Sequence, residues 1–172
     1  MRKRMRQGGW LTAAVLACLA VLGAASICNA NLQRVYVIVN HPDAPIEIVA
    51  FGKYVGEDDD HIYSIVRYRN RTGRSIEAQA ITMLYFDAFN EREAGVKGIS
   101  TDLLPANQES TGGWSIYGTP GFVKTAMAFV SAVRFMDGEV WRADIAAVLE
   151  AAAKLPGLEF LSKTEMLEIK KD

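Results

Sequence analysis

From residue 32 to residue 142, apolar and polar side chains alternate in steps of two, the period of β-strands. Residues 34–40 (RVYVIVN) set Val35, Val37 and Val39 on one face and Tyr36 and Ile38 on the other, which predicts a strand with two apolar faces. The run His41-Pro42-Asp43-Ala44-Pro45 breaks it, and residues 46–54 form the next expected strand. After the polar loop 56–60, residues 61–70 alternate cleanly. Ile62, Val66 and Tyr68 share one side; Tyr63, Ile65, Arg67 and Arg69 share the other. Asn70 and Gly73 suit a tight turn leading into residues 75–89, so 61–89 is expected to be a hairpin. Ile76, Ala78, Ala80, Thr82, Leu84 and Phe86 would line one face of its second arm.

Glycines and prolines punctuate residues 90–122, where 95–100 and 114–117 are expected as short strands and 104–107 as a turn. Alternation returns at 124–135, with Phe129, Val133 and Phe135 on one face and Ala128, Val130 and Ala132 on the other. Asp137-Gly138 marks a hairpin turn, and Trp141 on the returning strand should face Val133 or Phe135. The period then changes to that of a helix. Asp144 is placed to cap it; Ile145, Val148, Leu149 and Ala152 form its apolar stripe, and Pro156-Gly157 stops it. Ser162 and Glu165 form a capping box for a second short helix. These helices are expected to cover an open side or edge of the β domain rather than to dock another protein.

The first thirty residues read differently. Arg2, Lys3, Arg4 and Arg6 open the chain, residues 10–27 are almost wholly apolar, and Cys28-Asn29-Ala30 offers a small-residue exit. This is the pattern of a secretory signal peptide, and it predicts a periplasmic or secreted protein. An uncleaved leader of about 18 apolar residues would be just long enough to anchor the chain, with its C-terminal domain outside the cytoplasm. Lipid attachment at Cys18 or Cys28 is the third alternative. Membrane contact is expected only through such a leader. The expected organisation is therefore 1–30 leader, 31–142 β domain and 143–172 helical extension.

Taking the leader away changes the charge and the cysteine count. Four of the 19 Lys and Arg residues and none of the 20 Asp and Glu residues lie in 1–30, which leaves 15 basic against 20 acidic side chains, a formal net of −5. An acidic domain repels polyanions, so nucleic acid is not an expected partner. Both cysteines fall within the leader. Disulfides and thiol chemistry are then not expected of the domain, and a packed core must stabilise it. About seven strands without a βαβ rhythm imply a mainly β fold: an immunoglobulin-like antiparallel β-sandwich with short C-terminal α-helices. A barrel is the alternative.

Three stretches carry a family resemblance. They are Arg67-Tyr68-Arg69-Asn70-Arg71-Thr72-Gly73, Met83-Leu84-Tyr85-Phe86-Asp87, and Leu104-Pro105 with its polar turn. Over residues 49–144 the chain resembles small exported bacterial immunoglobulin-like domains of the FxLYD type. Met83, Tyr85 and Phe86 replace the Phe, Leu and Tyr of that motif, and Ala106 stands where Gly is usual. The resemblance implies the sandwich fold and no defined common activity.

Chemistry-bearing residues are sparse. The two histidines, His41 and His61, flank loops, and Gly113-Trp114-Ser115-Ile116-Tyr117-Gly118 lacks the glycine spacing of a nucleophile elbow. No zinc-type ligand set occurs, and the acidic loop 57–60 lacks the alternating spacing and internal glycine of an EF-hand. Catalytic residues, a metal and a cofactor are accordingly not expected. Two groups are candidate contact residues. Arg67, Arg69, Arg71 and Arg74 make a local basic patch, against which stands a charged strand edge guarded from aggregation. Trp114 and Tyr117 would form an aromatic lip if exposed, or else close the core. The first expectation for function is an exported, non-catalytic interaction or envelope-associated module whose partner is another extracytoplasmic protein. The second is a small-ligand carrier with a pocket between sandwich and C-terminal helices, and the third a hydrolytic or metal-dependent enzyme.

Overall fold

The computed structural model describes residues 34–55, 61–117 and 122–161. The leader, the acidic loop 57–60 and the second helix expected after Ser162 lie outside the described residues. Every described residue belongs to one compact unit, Arg34–Asp172.

Among the described residues, eight strands and one helix run in the order β1 (Val35–Ile38), β2 (Ile46–Val55), β3 (His61–Asn70), β4 (Ile76–Phe86), β5 (Arg92–Ser100), β6 (Glu109–Tyr117), β7 (Thr125–Phe135), β8 (Val140–Arg142) and α1 (Ile145–Ala152). They form an immunoglobulin-like sandwich. One sheet has the order β2-β3-β6. The other has the order β7-β4-β5, with β1 and β8 sharing the far side of β7. There β1 lies parallel to the first half of β7, and β8 lies antiparallel to the second half.

The core between the sheets joins Ile46, Ile48, Val66 and Tyr68 to Ile81, Met83, Tyr85, Ala126, Ala128, Val130, Val133 and Phe135. Strand β3 follows the expected two-residue period: Ser64, Val66, Tyr68 and Asn70 are buried, while Tyr63, Ile65, Arg67 and Arg69 are exposed. The Asp137-Gly138 hairpin is also as expected. Gly138 takes a left-handed φ of 89°, and Val133 pairs with Trp141.

The expected hairpin over 61–89 does not form. β3 pairs with β2 and β6, whereas β4 pairs with β5 and β7, so the 70–74 turn carries the chain from one sheet to the other. Asn70 causes this corner. Its side chain is fully buried, and its Nδ2 donates to the carbonyls of Arg74, Leu104 and Pro105 at 2.7, 3.2 and 3.0 Å. Its Oδ1 accepts from the backbone N and Oγ1 of Thr72. A side chain satisfied both from its own turn and from residues 104–105 pins the two segments together at a sheet boundary, which a two-stranded turn does not require. The left-handed asparagines are instead Asn90 and Asn107.

The faces of β7 also depart from expectation. Its pairing with β4 slips between Ala80↔Ala132 and Ile81↔Val130, which leaves Ser131 as the extra residue of a bulge. One inserted residue exchanges the faces, so Ala128, Val130, Val133 and Phe135 point into the core while Phe129 points out. Likewise β4 buries Gln79, Ile81, Met83 and Tyr85 between the sheets and turns Leu84 and Phe86 outward.

The outward face is covered as well. Val39, Leu84, Phe86, Met127 and Phe129 form a second apolar cluster with Val148, Leu149 and Ala152 of α1 and with Leu158 and Leu161 beyond it. Asp144 caps the helix, accepting from Ala146 N at 3.0 Å and Ala147 N at 3.4 Å. The helix ends earlier than Pro156-Gly157 suggests, at Ala152 with Ala153 as its C-cap, and Gly157, at φ 88°, lies beyond it against Val35. The helix thus pads the outer face of the five-stranded sheet, as its apolar stripe implies.

Candidate ligand-binding site

Helix α1 packs with Leu84 and Phe86 of β4 and with Met127 and Phe129 of β7, and a space separates its first residue, Ile145, from β5. A cavity of about 400 Å³ lies in that gap. Its apolar lining comes from Leu84 of β4, Phe129 of β7, Val96 of β5 and Ile145 of α1. The bulge that turns Phe129 outward therefore also supplies part of the cavity wall. Gly95 keeps this wall open, because a Cβ there would press on Leu84 Cδ2 at 3.2 Å.

Polar groups enter at defined places. Thr82 and Ser131 border the cavity, and Ser131 Oγ donates to the Ala80 carbonyl at 3.2 Å. Three cations border it: Arg92 and Lys97 from β5, and Arg142 from the end of β8. No Asp or Glu is among the described residues that line it. Lys97 stands opposite Thr82 in register, and Arg142 stands opposite Ala132. The two cations thus flank the β7-β4 floor from opposite sides, an arrangement set by strand order alone.

The residues singled out in the sequence lie elsewhere. Arg67 and Arg69 project from the outer face of the other sheet, where Arg69 faces Glu47 on one side and Glu109 on the other. Arg69 bonds Glu47 at 2.6 Å, and both arginines lie within 4.0 Å of Glu109. The hydrogen bond from Arg69 holds the Glu47 carboxyl below its usual range. Arg71 is exposed at the corner near Glu47. Arg74 belongs to a different group: it bonds Asp137 and Glu139 and lies 3.8 Å over the Phe135 ring. The four arginines therefore do not form one basic patch. Arg67 and Arg69 are also not an edge guard, since β3 is the central strand of its sheet.

Trp114 is not a free lip. Its indole occupies the places that side chains at Gly98 of β5 and Gly112 of β6 would fill, and it closes the sandwich between those two edge strands. The backbone of Tyr117 pairs with His61, and its side chain lies outside the described residues. His41 packs by Trp141 with ring centroids 6.3 Å apart, and its Nδ1 accepts from Asp43 N. Among the described residues no three His, Cys, Asp or Glu side chains gather as a metal-ligand set.

No protein-family model matches the chain, and no curated protein matches it. Solved structures do. A hypothetical protein from Peptoclostridium difficile is similar over 62% of this chain and 90% of its own, at 10% identity and a TM-score of 0.47. The Campylobacter jejuni protein cj0090 is similar over 58% of this chain and 100% of its own, at 13% identity and a TM-score of 0.35. The putative ApaA protein of Bordetella pertussis is similar over 59% and 90%, at 12% identity and a TM-score of 0.37.

The cavity cations were missed in the sequence because each looks like a solvated strand residue on its own. The available signal was local: Arg142 lies two residues before the helix cap Asp144, and Arg92 and Lys97 flank Gly95 on one strand. Joining them required knowing that β5 and β8 belong to one sheet and that the helix folds back on its outer face.

Proposed function

We propose that this chain is an exported, non-catalytic binding module that carries a small ligand between the outer face of its five-stranded sheet and helix α1. The cavity itself supports this reading over a protein-interaction role. Its volume of about 400 Å³ falls in the range of small-molecule sites, and its apolar walls carry a few converging polar groups. Of the residues that favoured a protein partner, Arg67, Arg69 and Arg74 are engaged with carboxylates and Trp114 with the sandwich edge.

Export rests on the leader pattern of residues 1–30, with the domain periplasmic, secreted or held outside the cytoplasm by an uncut leader. No helix among the described residues is long and apolar enough to cross a membrane. Fractionation of cells expressing the native leader tests this part, and recovery of the domain in the cytoplasm would refute it.

Methyl-resolved NMR titration tests the cavity. A short alkyl probe should shift the Leu84, Val96 and Ile145 signals saturably. Gly95→Leu, which puts a side chain against Leu84, should abolish those shifts. Unsaturable shifts, or shifts centred on Tyr63 and Ile65 of β3, would place binding elsewhere.

A further inference from the structure

The charge at the cavity is out of keeping with the rest of the domain. Beyond residue 30 the chain is acidic by five charges, yet among the described residues three cations and no carboxylate line this one apolar recess. Elsewhere many of the cations meet carboxylates: Arg69 with Glu47, Arg74 with Asp137 and Glu139, Arg134 with Glu77, and Lys154 with Glu150. Among the described residues Lys97 and Arg142 have no carboxylate within ion-pair distance.

We infer that the ligand of this cavity is a single-chain carboxylate, its apolar chain against Leu84, Phe129 and Ile145 and its head between Lys97 and Arg142. The inference rests on the cavity being the binding site. The strand order β8-β7-β4-β5 separates the backbones of Arg142 and Lys97 by three inter-strand steps, about 14 Å. Two long side chains reaching inward across that span leave room for one small anionic head above the β7-β4 floor. Arg142 offers planar paired N–H donors that match a carboxylate, and Lys97 offers a compact charge. Thr82, opposite Lys97, places a hydroxyl donor beside the same point. The apolar part of the ligand would bury the surface that α1 leaves uncovered, a non-directional gain that does not discriminate among heads. Selection for charge therefore falls to the two cations.

The experiment titrates the full domain with decanoate, decanol and decyltrimethylammonium, read by calorimetry and by the Leu84 and Ile145 methyl signals. Decanoate should bind at least about ten-fold more tightly than decanol, since charge-assisted hydrogen bonds exceed neutral ones by that factor or more. Decyltrimethylammonium should bind most weakly. The double variant Lys97→Gln/Arg142→Gln should bind decanoate and decanol equally, while Arg67→Gln, which removes one charge from the opposite sheet, should keep the preference. Both cations are exposed, so unchanged melting temperatures are expected for all three proteins. Equal affinities for decanoate and decanol in the parent overturn the carboxylate inference and leave the cavity reading standing. A preference lost in Arg67→Gln also overturns it, because the selection would then come from net charge. Failure of all three probes to bind removes the cavity reading and the inference with it.

Discussion

Ser64 Oγ and Tyr85 Oη lie 2.6 Å apart in the middle of the sandwich, and the contact joins one sheet to the other. Both side chains are buried. Apolar packing holds the sheets at a distance but tolerates sliding, whereas a hydrogen bond of this length fixes the position of β3 over β4. Ser64→Ala would leave the Tyr85 hydroxyl buried without this partner, at a cost of about 1–3 kcal/mol. Tyr85→Phe alone would strand Ser64 in the same way. The double variant removes both polar atoms and should recover most of that loss. Urea denaturation of the four proteins as a double-mutant cycle measures the coupling. A coupling of zero would mean that the hydrogen bond contributes nothing.

The same tyrosine makes stability depend on alkaline pH. Burial raises the Tyr85 phenol above its ordinary 10.0, opposed by the Ser64 hydrogen bond and reinforced by Tyr36. The folded state thus holds this proton more tightly than the unfolded chain does. The associated stability is complete below the unfolded value and is lost as pH rises through the folded value. Stability should therefore fall above about pH 10. Tyr85→Phe should flatten that fall even though it lowers stability at neutral pH. Denaturation midpoints measured between neutral and strongly alkaline pH give the slope, and an identical slope in the variant would contradict the assignment.

Strand content was legible wherever a single period ran unbroken. The β3 alternation from Tyr63 to Arg69 predicts its two faces correctly, because one strand in one register obeys one rule. The same rule fails across Ser131, where one inserted residue reverses the faces of β7, and the residues on either side give no sign of it. The sheet change at Asn70 was hidden for another reason. An asparagine before a glycine suits a tight turn, and its role as a corner depends on carbonyls of Leu104 and Pro105 more than thirty residues away. The cavity was anticipated in place, between sandwich and helix, but not in composition. Its cations come from two strands, β5 and β8, that only the strand order brings to one rim.

Trp114 provides a third prediction. A Cβ at Gly98 would fall 2.4 Å from the indole, and one at Gly112 would fall 2.3 Å from it, so neither glycine tolerates alanine while the ring stays in place. Gly98→Ala should displace the ring, open the β5-β6 edge and cost about 1–3 kcal/mol through overpacking. The Trp114 emission should shift to the red as the ring meets water, and acrylamide quenching should increase. Trp114→Ala in the Gly98→Ala background should relieve the clash, so the second change costs less there than in the parent. Unaltered emission in Gly98→Ala would show that the indole can occupy another position.

Asn70 gives the most discriminating test of the corner. Its amide is both donor and acceptor: Nδ2 faces three carbonyl oxygens, and Oδ1 faces the N–H and hydroxyl of Thr72. Asn70→Ala removes both sets and should cost about 3 kcal/mol, the scale of losing a buried hydrogen-bond network. Asn70→Asp preserves the shape and the acceptor but replaces the donating nitrogen with an anionic oxygen against the carbonyls of Arg74, Leu104 and Pro105. A purely space-filling role would make aspartate the milder change. The donor role makes it at least as harmful as alanine near neutral pH, with partial recovery in acid, where protonation restores one O–H donor to the carbonyl cluster. That recovery has a definite sign: the carboxyl is desolvated and faces partial negative charge, so its folded value is raised and stability increases as pH falls through it. Chemical denaturation of Asn70→Asp and Asn70→Ala at pH 7 and pH 4 separates the two roles, because the alanine variant has no titrating group at this position to respond.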